Sequence, residues 1–149
     1  MAVISLLLCL IFVSAMTWKN GGVLESISST AYIVGNKISF TLILLLIGML
    51  LLPSMLETSS ENTQFLAFLT IVGLSMVAVT PNYRSEDGVQ HNIGGISCCL
   101  CSQLLAAFNR PVLLLIWFPC LAYLLFFRDK NYTFWTEITC MAVTYVYSI

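Results

Sequence analysis

Six apolar runs, at about 1 to 18, 38 to 56, 64 to 80, 92 to 108, 111 to 127 and 134 to 149, hold only one of the chain's thirteen charged residues. Water does not tolerate runs of that length unburied, and a helix needs about 20 apolar residues to cross the hydrocarbon core of a bilayer. Backbone polar groups in hydrocarbon are satisfied only within helices or closed barrels. The pattern therefore predicts an all-α fold, an integral membrane bundle of six transmembrane helices forming a single domain over residues 1 to 149. Several runs are nearer 17 than 20 residues, which implies tilt, a thin bilayer or ends completed by interfacial side chains. With 59% of residues hydrophobic and 9% charged, and a mean hydropathy of +0.94, little remains for a soluble domain.

Six Lys and Arg against seven Asp and Glu give a formal charge of -1. That balance offers no basic patch for a run of phosphates, so nucleic acid is not an expected partner. The first run has no Lys or Arg ahead of it, as a secretory leader would, and Leu8 stands before Cys9 where a lipid-attachment motif needs a small residue. It is read as the first span. The six cysteines, Cys9, Cys98, Cys99, Cys101, Cys120 and Cys140, all lie in apolar runs, which argues against a disulfide framework. Consecutive helical positions project about 100° apart, and no nearby His or Cys pair completes a tetrahedral set around Cys98, Cys99 and Cys101. They read as small, polarizable packing residues, and neither metal nor cofactor is expected.

The connections alternate in character. Glu57 to Thr63 is short and acidic, and Asn109-Arg110 is a tight turn before Pro111, a favourable first helical residue. The connections after runs 1, 3 and 5 are richer, and an even number of crossings puts all three on one face. Lys19, Lys37, Arg84, Arg128 and Lys130 there, against Arg110 opposite, favour a cytoplasmic placement. Arg84 beside Glu86 and Asp87 is the weakest of these signals. In the first rich connection, Leu24, Ile27, Ala31 and Val34 recur at helical spacing, which fits a short helix in the interface or a solvated linker with a few apolar residues.

Two runs carry more than oil. In the fourth, Gly94, Cys98, Ser102 and Ala106 form a row of small residues beside Gly95, Cys99, Gln103 and Ala107, the spacing that lets helix backbones approach closely. This helix should be central, and Gln103 should need a hydrogen-bond partner. The sixth run holds Glu137, followed on the same side by Cys140 or Met141, Thr144 and Ser148, a stripe expected to face the protein interior or to begin in the headgroups.

Crossing parity gathers Glu25, Ser26, Ser28, Ser29, Tyr32, Arg84, Glu86, Asp87, His91, Asn92, Asp129 and Glu137 at one end. The ligand-binding candidates are Glu25, Ser26, Ser28, Arg84, His91, Asn92 and Glu137. Arg84 and His91 would supply donors, Glu25 and Glu137 would orient them, and Ser26 and Ser28 would complete the hydrogen bonding. His91 or Asn92 could cap the fourth helix, or Arg84, His91 and the free helical N–H groups could hold an anion. A serine with His91 and Glu25 or Glu137 also supplies the residue types of a hydrolase, although no Gly-x-Ser-x-Gly elbow occurs.

Glu25-Ser26-Ile27-Ser28 before the second span, and Pro81-Asn82-Tyr83-Arg84 followed by His91-Asn92 before the fourth, resemble elements of a group of small six-span bacterial membrane proteins of unknown function, distantly similar to the DRAM-like eukaryotic membrane proteins. The resemblance covers nearly the whole chain in span layout. It implies a six-helix protein with its Ser-Ile-Ser and His elements on one face, and by analogy a lipid-linked role. The expected function is a multi-pass protein of the bacterial inner membrane that binds a lipid headgroup, a small ligand or a protein partner at its polar face. Membrane lipids are the first expected partners, then a protein or a second copy of the chain. A small transporter or channel, with a polar path through Gln103 and Thr144, and a membrane-embedded lipid hydrolase are the alternatives.

Overall fold

Leu, Ile, Met, Ala and Phe fill the six runs, and in each of them the backbone closes its own hydrogen bonds as a helix. The computed structural model describes residues 1–127 and 131–149, so Arg128, Asp129 and Lys130 and the expectations placed on them lie outside the described residues. In chain order the helices are α1 (Ala2–Asn20), a single turn α2 (Thr30–Ile33), α3 (Lys37–Thr58), α4 (Gln64–Val79), α5 (Gly88–Asn109), α6 (Trp117–Phe127) and α7 (Tyr132–Ser148). Turns of 3₁₀ helix at Glu61–Thr63 and Pro111–Ile116 lead into α4 and α6. The described residues form an all-α bundle.

Local chemistry sets the ends. Gly21 adopts the left-handed conformation (φ 72°) and returns its N–H to the carbonyls of Thr17 and Trp18, which stops α1. Asn36 opens α3 by accepting the Ile38 N–H at 3.0 Å. The run at 111 to 127 is not one α-helix. Its first six residues wind as 3₁₀ helix, and Pro119 has no N–H to give the Leu115 carbonyl, so the α pattern establishes itself late.

Among the described residues four helices are long and apolar enough to cross a membrane: α1, α3, α5, and α4 taken with its leading turn as Glu61–Val79. Pro111–Phe127 is apolar but shorter, and α7 has 17 residues and includes Glu137. The distribution of side chains is that of a protein solvated by oil. Ile11, Met49, Phe108 and Leu125 are exposed, while Ser5, Thr70, Ser102, Thr144 and Ser148 are buried. Thr70, Thr144 and Ser148 each return the hydroxyl to the carbonyl one turn back, at 2.8 Å.

The helices pack around α3, α5 and α7. Closest of all is the α4–α5 crossing, where Gly73 and Gly94 meet: a Cβ on Gly73 would lie 2.6 Å from the Gly94 carbonyl oxygen, and one on Gly94 would lie 2.6 Å from the Met76 Cβ. The small-residue row thus works as expected in α5, with Gly73 as its partner on α4. Gln103 also finds partners, donating to the Cys140 carbonyl at 3.2 Å and accepting the Trp117 indole N–H at 2.8 Å.

Hydrogen bonds between connections separate the two ends of the bundle. At one, Ser60 and Thr63 bond Asn109, and Tyr147 bonds Ser59 and the Thr58 carbonyl. At the other, Lys19 reaches the Ile33 carbonyl at 2.7 Å and Lys37 reaches Asn82. The segment from Gly21 to Asn36 closes this second end. Its Leu24, Ile27 and Ala31 are buried. They pack into the protein core, which sets aside the solvated linker, and the segment forms one helical turn, Thr30–Ile33.

Candidate functional site

Residues 21–36 form a cap on the bundle. Of the polar residues that parity assigned to one face, Glu25, Tyr32, Arg84 and His91 join an outer network, Ser28 and Glu137 border an inner site, and Asp129 lies outside the described residues. In the outer network Arg84 forms an ion pair with Glu25, its guanidinium lies 4.8 Å from the Tyr32 ring centroid, and its backbone N–H donates to the Tyr32 hydroxyl at 2.9 Å. Desolvation lowers the Arg84 pKa, but Tyr83, Glu25 and Tyr32 together raise it above the ordinary guanidinium value. Tyr32 meets Tyr83 edge-on at 5.3 Å, and Tyr83 stacks on the His91 ring at 4.4 Å. Glu25 to Arg84 to Tyr32 to Tyr83 to His91 is therefore one continuous chain of contacts tying the cap to the start of α5.

His91 ends that chain by turning inward. It is buried, and its Nδ1–H donates to the Thr80 carbonyl at 2.9 Å. Thr80 follows the last residue of α4, where Pro81 halts the helix and leaves carbonyls without intrahelical donors. His91 thus closes the end of α4. It does not cap α5: that helix starts at Gly88 with Asp87 before it and no side-chain cap bond, so the capping expected of His91 or Asn92 is not formed. Asn92 is exposed, one residue beyond the buried ring.

Ser26 and Ser28 part company. Ser26 is buried and accepts the Ser29 N–H at 3.0 Å, while Ser29 Oγ donates to the Ser26 carbonyl at 2.6 Å. This local turn positions α2. Ser28 lines an internal cavity. No hydrogen bond joins His91 to Ser26, Ser28 or Ser29 among the described residues, so the nucleophile and base that a hydrolase needs are not paired there.

The inner site is that cavity, about 120 Å³, bordered by the cap and by α1, α3, α4, α5 and α7. Most of its wall is apolar, including Phe12, Ile27, Leu44, Ile47 and Val77. Glu137 stands at its cap end and accepts the Ile27 N–H, which fixes the carboxylate against the segment that closes the bundle. Deeper in, Ser102 donates to the Cys99 carbonyl at 2.9 Å and Tyr145 shares a 2.9 Å hydrogen bond with Ser5. Cys9, Cys98, Cys99 and Cys140 also line it, all as free thiols. The stripe read from α7 does face inward: Cys140, Thr144 and Ser148 are buried.

Sequence reasoning missed the cavity and the Ile27 N–H, and it placed Tyr32 at this end without the ring contacts by which Tyr32 and Tyr83 link Arg84 to His91. Tyr83 stood within the Pro81-Asn82-Tyr83-Arg84 element, and that was its only signal. Comparison with protein-family models, with curated proteins and with solved structures finds no match to this chain.

Proposed function

We propose that this chain is a multi-pass integral membrane protein that crosses the bilayer six times and binds a small amphiphile, a lipid or a lipid-derived molecule, at the polar end of its bundle. The ligand's polar group meets Glu137 and Ser28 beneath the cap, and its apolar part enters the cavity. The observation that carries this reading is the cavity itself, an apolar chamber of about 120 Å³ with a fixed carboxylate at one end. Sites of this kind, mostly apolar with a few convergent polar groups, are where small molecules bind.

Length supports two spans beyond the four long ones. Six residues of 3₁₀ helix rising about 2 Å each and 11 of α-helix rising about 1.5 Å each reach roughly 28 Å. The 17 residues of α7 reach about 25 Å. Both approach the ~30 Å of a hydrocarbon core. The resemblance to small six-span bacterial proteins points to the inner membrane. The reading is of a binding protein, with membrane lipids as its first partners.

The test is mass spectrometry of the protein after gentle purification, beside a Gly95→Leu variant. Gly95 lines the cavity, and a Cβ there meets only Val77 Cγ2, at 3.8 Å. A leucine at this position grows into the chamber. The wild-type protein should carry a stoichiometric small amphiphile and the variant should not; identical bound material in both refutes the reading.

A further inference from the structure

Glu137 is the sole charged residue among the described residues lining the cavity, and none of those is Lys, Arg or His. One carboxylate oxygen accepts the Ile27 N–H, and the other has no hydrogen-bond partner among the described residues. The Ser28 hydroxyl also has none among them. The remaining hydroxyls in the wall are engaged: Thr70 with the Leu66 carbonyl, Ser102 with that of Cys99, Thr144 with that of Cys140, and Tyr145 with Ser5. Apart from the weakly bonding thiols, the uncommitted side-chain groups of the wall are therefore one carboxylate oxygen and one hydroxyl, both at the cap end.

We infer that the cavity is a site for a primary monoamine with a small apolar body, its ammonium held between Glu137 and Ser28. An ammonium has three donors and no acceptor, which matches a carboxylate oxygen and a hydroxyl. A carboxylate or phosphate would meet Glu137 with no cation among the described wall residues to compensate. Size limits the body. A cavity of ~150 Å³ holds one benzene, so about 120 Å³ admits an apolar group of roughly five or six heavy atoms. The inference rests on the cavity reading above and narrows it from amphiphiles in general to amines. It also moves ligand charge recognition from the exposed Arg84 to the enclosed Glu137.

The experiment uses the full chain in mild detergent and three probes of equal length, hexylamine, hexanol and hexanoate, with binding measured by calorimetry. Hexylamine should bind about tenfold tighter than hexanol, the advantage of a charged over a neutral hydrogen bond, and hexanoate should not bind. Glu137→Gln should remove the preference for hexylamine, bringing its affinity level with that of hexanol. Gly95→Leu should abolish binding of hexylamine and hexanol alike. Equal binding of hexylamine and hexanol, or tighter binding of hexanoate, overturns the amine assignment while leaving the cavity reading standing, provided Gly95→Leu still removes the signal. If no probe binds, or Gly95→Leu changes nothing, the cavity reading falls and the amine assignment with it. The wild-type ranking decides the amine assignment even if Glu137→Gln does not fold.

Discussion

Gly94→Ala should destabilise the bundle, while Gly95→Ala, one residue along the same helix, should not. An alanine Cβ at Gly94 would lie 2.6 Å from the Met76 Cβ, 2.8 Å from the Gly73 carbonyl oxygen and 3.1 Å from the Val77 nitrogen. The closest of these is about 0.8 Å short of ordinary contact. None of the three atoms is the free end of a flexible side chain, so α4 and α5 must separate. Overpacking of this kind costs about 1–3 kcal/mol, against a helix-propensity gain of roughly 1 kcal/mol for replacing glycine with alanine. At Gly95 the propensity gain is the same, and the new Cβ meets only Val77 Cγ2, at 3.8 Å. The two variants should therefore differ by about 2 kcal/mol, on the order of 30-fold in the unfolding equilibrium. Denaturant unfolding in mild detergent, followed by circular dichroism, measures the difference. Gly73→Ala opens the same crossing, so combined with Gly94→Ala it should add less than its separate cost. Equal stabilities for the Gly94 and Gly95 variants would refute the close crossing of α4 and α5.

Other substitutions test the remaining contacts. Ser5→Ala removes a hydroxyl that donates to the Ile47 carbonyl at 2.9 Å and meets Tyr145 at 2.9 Å; it should cost about 0.6–1.7 kcal/mol and be sub-additive with Tyr145→Phe in a double-mutant cycle. Trp117→Phe takes the 2.8 Å indole donor from Gln103 and should cost about as much. An unchanged melting temperature would argue against α6 being anchored through Gln103. Glu25→Gln and Arg84→Gln break an exposed ion pair and should each cost less than about 1 kcal/mol. Their coupling should shrink as salt is raised, and a salt-independent coupling would contradict an exposed pair.

The sequence by itself determined where most of the helices run and that, among the described connections, those after the first and third runs share one end and those after the second and fourth the other. Both follow from local quantities: long uncharged apolar segments must close their own backbone hydrogen bonds, and crossing parity then sorts the connections without reference to packing. The small-residue row of α5 and the inward stripe of α7 were legible for the same reason, since periodicity along one helix reveals its buried face. Only the tertiary structure decided how the polar end is divided. That Arg84 pairs with Glu25 while Glu137 takes the Ile27 N–H, 110 positions away, depends on how the cap folds over the bundle, and a weak amphipathic pattern across 21–36 does not encode that. Gly73 gave no signal because a close crossing belongs to two helices at once. The cavity has the least local origin of all: it is a space left between six segments, and no single segment carries its shape.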